Sequence, residues 1–105
     1  MRTIWKYPLE IADQQTIMMP AGASIISVGN QDGTLAMWAK VDTDQEPEPV
    51  SIVIRGTGHP IQQDEDHYEF LLDSVVMGPF VWHVFHQIPR HIAEDAHGIS
   101  HAVND

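Results

Sequence analysis

The sequence predicts a mainly β domain, a small antiparallel sandwich or open barrel with a possible short C-terminal helix. Three observations carry this: the apolar runs are short, they alternate rather than recur with a helical period before Pro89, and Gly, Pro, Asn and Asp cluster at the breaks between them. A chain of 105 residues is one domain by length. Residues 1–86 are expected to form it, with 87–105 a helical or disordered tail.

The first strand is expected over Arg2–Leu9, with Trp5 and Tyr7 on one face and Ile4 and Lys6 on the other. Gln15–Met19 follows and ends at Pro20-Ala21-Gly22, then Ser24–Val28. Asn30-Gln31-Asp32-Gly33 reads as a hairpin turn, because Asn, Asp and Gly accept the positive φ that tight hairpins require. Thr34–Asp42 returns, alternating Leu35, Met37, Ala39 and Val41 on one face. Thr43–Pro49 is acidic, holds two prolines and is expected to be a solvated loop. Val50–Arg55 is β-branched and reads as an inner strand, and Gly56–Pro60 interrupts it. After the polar loop Gln62–Asp66, the last two strands are Tyr68–Val76 and Pro79–Phe85. The segment Phe80–Phe85 is apolar on both faces, so its second face is expected to meet another sheet or another subunit. In the tail, Ile92, Ala96, Ile99 and Val103 fall on one helical face, Pro89 suits a first turn, and Gly98 weakens the helix.

Composition narrows the function. Fifteen Asp and Glu stand against five Lys and Arg, a net charge of −10, and the five cations Arg2, Lys6, Lys40, Arg55 and Arg90 are scattered along the chain. Such a field repels DNA and long RNA, while a local cationic pocket can still hold a small anion because surface charges screen over about 8 Å. There is no cysteine, hence no disulfide or thiolate chemistry. The start lacks the apolar stretch of a secretory signal, and no apolar run is long enough to span a bilayer, so no membrane partner is expected.

No catalytic constellation is legible, and the chain is not expected to be an enzyme. His83 and His86 sit at an odd separation and point to opposite strand faces, which rules them out as neighbouring metal ligands. His97 and His101 share a helical spacing but lack the intervening glutamate of the zinc-enzyme motif. The carboxylates fall in two loop runs, Asp42–Glu48 and Asp64–Glu69, which read as solvated surface. No metal or cofactor is called for. The segment Arg55-Gly56-Thr57-Gly58-His59-Pro60 is the most informative. Two glycines around a threonine can turn amides toward an anion, and Arg55, Thr57 and His59 add donors suited to phosphate; a plain tight turn or bulge is the alternative. Trp38 and Trp82 are candidate stacking platforms for a planar base, with core packing as the alternative.

Several segments together resemble a known family. Trp5-Lys6-Tyr7-Pro8-Leu9-Glu10-Ile11, Met19-Pro20-Ala21-Gly22-Ala23, Leu35-Ala36-Met37-Trp38-Ala39, Gly56-Thr57-Gly58-His59-Pro60-Ile61 and Val81-Trp82-His83-Val84-Phe85 occur in this order. They resemble a family of small phage-encoded proteins carrying a domain of unknown function, over Met1 to Phe85, with a longer tail here. The chain is also similar to viral anti-CBASS sponge proteins in size and in its lack of a catalytic set. That similarity implies a counter-defence protein in the cytoplasm of an infected bacterial host, serving immune evasion. Its partner would be a small anionic ligand, a cyclic di- or trinucleotide, sequestered without hydrolysis by a homo-oligomer, dimer or tetramer. Arg55, Gly56, Thr57, Gly58 and His59 would hold phosphate, and Trp38 or Trp82 would stack on a base. Two other readings stay open: an acidic inhibitor that binds a host protein, and a hydrolase acting on a nucleotide.

Overall fold

Asp32 and Gly33 hold φ of 53° and 84°, and Asn30 Oδ1 accepts the Gly33 N–H at 2.9 Å. This is the tight reversal expected between Asn30 and Gly33, and it joins β3 (Ser24–Gln31) to β4 (Thr34–Asp42). The computed structural model describes residues 1–62 and 64–97, the last three in backbone only. Besides this hairpin, the described residues form β1 (Arg2–Pro8), β2 (Gln14–Pro20), β5 (Pro47–Gly56), β6 (His67–Met77), β7 (Phe80–Pro89) and α1 (Arg90–His97). The fold is mainly β, in two antiparallel sheets ordered β1-β4-β3 and β2-β5-β7-β6, with one short C-terminal helix.

The two sheets enclose one core. Leu35, Met37, Ala39 and Val41 alternate inward from β4, and Ile52 and Ile54 from β5 meet them with Met19, Val75 and Val84. Each fully buried Leu, Ile, Met or Val contributes about 1.5–3 kcal/mol relative to exposure, so this cluster orders the chain without any buried charged side chain among the described residues. The sheets also touch where β3 packs against β6.

Two boundaries differ from expectation. β5 begins at Pro47, inside the segment read as a loop. Pro47 and Pro49 pair only with Pro20 and Met18 of β2, because β7 joins β5 from Ser51 onward. The strand is locally an edge there, where a missing N–H is tolerated. β7 continues to Pro89, past Phe85 and across the expected boundary at residue 86. The start of β6 supplies its partners, from Phe70 opposite His86 to His67 opposite Pro89. The helix then starts at Arg90, whose N–H reaches Asp66 O at 2.7 Å and whose guanidinium lies 4.1 Å from the Tyr68 ring centroid. Buried Ala93 faces the strands. Gly98, Ile99, His101 and Val103 of the expected helix lie outside the described residues.

Candidate functional site: a cationic face around Trp38

The glycine segment begins at the end of β5, and although Thr57, Gly58 and His59 are exposed, several of its groups are hydrogen-bonded within the chain. Thr57 N–H donates to Val81 O at 3.3 Å and His59 N–H donates to Gly56 O at 3.1 Å. Gly58 holds φ of 86°, which closes the turn. The His59 ring folds back over Gly56, where an added Cβ would come within 2.7 Å of His59 Cε1 and 3.1 Å of Trp82 Cζ3. His59 meets Trp82 edge-on at 6.1 Å, and Phe80 stacks on Trp82 at 5.6 Å and 27°. Trp82 is half-buried and packs against the core.

Arg55 and Thr57 have partners in the chain. Arg55 Nε and Nη2 donate to the two Glu69 oxygens at 3.0 and 2.6 Å, with both side chains about one-fifth exposed. The Glu69 hydrogen bonds hold the Arg55 guanidinium still more firmly protonated than usual. Thr57 Oγ1 lies 2.8 Å from His83 Nε2, and Ser74 Oγ lies 2.7 Å from His83 Nδ1. Hydroxyls occupy both ring nitrogens, so neither is open to the carboxylate that a serine–histidine relay would need. Beside Arg55 opens a groove of about 830 Å³ lined by Asp13, Asp64, Glu65 and Asp66. A phosphate entering there would meet four carboxylates and an arginine already held by a fifth.

Trp38 is elsewhere, on the other sheet. The inward set of β4 leaves Ala36, Trp38 and Lys40 at the outward register positions. In register, Lys6 of β1 lies opposite Trp38, Ile4 opposite Lys40, and Arg2 opposite Asp42. On the β3 side, Ser27 lies opposite Trp38 and Ser24 opposite Lys40. The half-buried indole lies beside Gly29, where an added Cβ would meet Trp38 Cζ3 at 3.8 Å, an ordinary contact. Three of the five cationic residues of a chain with net charge −10 therefore share one sheet face with a tryptophan. None of Arg2, Lys6 and Lys40 has an ion pair among the described residues. At one end this face opens into a groove of about 880 Å³, lined by Arg2, Ile4, Ala21, Gly22, Lys40 and Asp42. The Asp42 carboxyl is lowered by the Asp44 N–H and also meets the Met1 amine at 3.4 Å.

The structure thus separates the residues singled out in the sequence. Arg55, Gly56, Thr57, Gly58, His59 and Trp82 gather at the end of β5, and Trp38 lies with Arg2, Lys6 and Lys40. The cations were legible only as scattered residues. Alternation within β1 (Arg2, Ile4, Lys6) and within β4 (Trp38, Lys40) gives two local signals, and the β1–β4 register is what joins them on one face. Among the described residues no three His, Asp or Glu side chains form a metal-binding group.

No curated protein and no solved structure matches the chain. A family model described as Domain of unknown function (DUF7352) matches residues 1–94, through all the described strands and into the helix, and the chain belongs to that family.

Proposed function

We propose that this protein is a binding module that sequesters a cyclic oligonucleotide without hydrolysing it, and that the ligand sits on the outer face of the β1-β4-β3 sheet. The observation that supports this reading is that Lys6 lies opposite Trp38 and Lys40 lies two residues along β4 on the same face, with Arg2 farther along opposite Asp42. A cyclic di- or trinucleotide carries two or three phosphates and flat bases, so it calls for both chemistries on one surface. One base stack contributes about 1–3 kcal/mol and each charge-assisted hydrogen bond about 1.5–3 kcal/mol. Three such bonds and one stack sum to roughly 6–12 kcal/mol, against about 8 for a micromolar and about 12 for a nanomolar complex, before ordering costs. On this reading the protein is a phage counter-defence sponge acting in the infected host, a role supported by the ordered family-like segments and the small size. The acidic remainder of the surface turns away nucleic acids, which would otherwise compete for the cations.

The test is calorimetry with cyclic di- and trinucleotides on the wild type, Trp38→Ala and Lys6→Glu. Binding by the wild type that both variants lose supports the reading. No binding at high micromolar concentration overturns it. A ligand recovered intact after heat denaturation separates a sponge from a hydrolase. A second reading, an acidic inhibitor of a basic host protein, draws on the groove of Asp13, Asp64, Glu65 and Asp66. It requires a host-protein complex that weakens as salt rises.

A further inference from the structure

We propose that the outer face of the β2-β5-β7-β6 sheet is a self-association surface, covered in solution by a second copy of this chain. The inference uses the sheet opposite to the ligand face and does not depend on the binding reading. Its first support is charge. On a chain of net charge −10, most surfaces repel a second copy. On this face the only Asp, Glu, Lys or Arg at outward register positions are Arg55 and Glu69, and they neutralise each other in a two-point pair. Asp73, exposed at the β6 bulge beside Leu71, adds one carboxylate at the edge of this face.

The second support is hydrogen bonding. Covering a polar side chain costs stability unless it keeps a partner. Here partners are already in place within one copy. Gln14 Nε2 donates to Ser51 Oγ at 3.0 Å, Ser51 Oγ donates to Gln87 Oε1 at 3.0 Å, and His83 lies between Thr57 and Ser74. On the two edge strands the face exposes apolar side chains: Leu71 is 58% and Val76 66% exposed on β6, and Met18 55% on β2. Half-buried Val81 and Phe85 of β7 lie on the same side, the second apolar face of Phe80–Phe85. Four strands spaced about 4.8 Å apart and about 33 Å long give roughly 600 Å² in projection, near the about 800 Å² per partner of a standard interface.

A face of low net charge, bordered by the acidic groove beside Arg55 and set between two acidic bodies, has a distinctive salt dependence. Screening removes the repulsion of the rims, so association tightens as salt rises. The experiment is sedimentation velocity on the full chain across micromolar concentrations at low and high salt, on the wild type, Leu71→Glu, Val76→Glu and Trp38→Ala. The expected result is a wild-type dimer that tightens with salt, at least tenfold weaker in Leu71→Glu and Val76→Glu, with unchanged circular dichroism. Trp38→Ala is expected to dimerise as the wild type does, which keeps this result separate from the fate of the ligand site. A wild type that stays monomeric overturns the proposal. So does a dimer that weakens with salt, the signature of the cationic face of one copy on the acidic groove of another. A dimer that both glutamate variants leave intact overturns it as well.

Discussion

Arg55 reaches across β7 to grip Glu69 of β6 at two points, Nε to Oε1 at 3.0 Å and Nη2 to Oε2 at 2.6 Å. The pair ties together strands that are not neighbours in the sheet, and it occupies the planar fork that phosphate recognition would need. Arg55→Ala is therefore expected to cost about 1–3 kcal/mol of stability and to leave cyclic-nucleotide affinity unchanged. Urea denaturation and calorimetry on the same variant check both halves. Lost binding with intact stability would return the phosphate site to Arg55.

Trp38→Ala is expected to weaken ligand binding by about 1–3 kcal/mol, five- to 150-fold, the range of one lost base stack. Lys6→Ala is expected to weaken it similarly and to flatten its salt dependence, since Lys6 lies opposite Trp38 with no ion pair among the described residues. Calorimetric titrations at two ionic strengths measure both effects. Equal affinity in wild type and Trp38→Ala would exclude a stacking role.

Tyr7 carries a buried hydroxyl with no hydrogen-bond partner among the described residues, and burial raises its pKa. An unmatched buried donor costs stability, so removing it is expected to be neutral or favourable. Tyr7→Phe is predicted to unfold at the same urea midpoint or a higher one, by up to about 1 kcal/mol. A clear loss of stability would mean that the hydroxyl has a partner in solution.

Burial lowers the pKa of His86 from its usual 6.5. The unfolded chain therefore takes up this proton first as pH falls. Stability from this site is complete above about pH 6.5 and declines below it, until the folded form also protonates. Asp42 and Asp64 act lower down. The Asp44 and Asp66 N–H groups, respectively, lower their pKa values below 3.8, so their contribution holds above that pH and is lost as pH falls through the lowered values. Urea midpoints from pH 8 to pH 5 are expected to fall in the wild type and to fall less in His86→Gln. Parallel slopes for the two would remove His86 as the cause.

Gly58 turns the chain at φ 86°, where a side chain is strained. Gly58→Ala is expected to cost about 1–2 kcal/mol by the left-handed backbone penalty, and to shift Trp82 fluorescence as His59 moves off its edge. Because this turn is remote from Trp38, ligand affinity is expected to persist. An unchanged urea midpoint would show that the turn has no fixed conformation in solution.

Local patterns carried the strands well. The Asn30–Gly33 reversal, the inward set Leu35, Met37, Ala39 and Val41, and the opposed faces of His83 and His86 are all legible because a strand alternates with a period of two. The ends of β5 and β7 were not, since each depends on where a neighbouring strand starts to pair.

The sequence by itself determined a β domain of short alternating strands, a strong acidic excess and an absence of thiol chemistry. It also named Trp38 and the Gly56–His59 turn as places to look. Only the tertiary structure decided which charges matter. Arg55 looked free because its partner, Glu69, is 14 residues away in sequence and two strands away in the sheet. Lys6 and Lys40 looked unrelated because 34 positions separate them, yet the β1–β4 register sets Lys6 opposite the tryptophan that Lys40 follows by two residues on β4. A strand's own alternation fixes only which side a residue takes. Its neighbours across the sheet are set by pairing between distant segments, which the burial of the shared core selects.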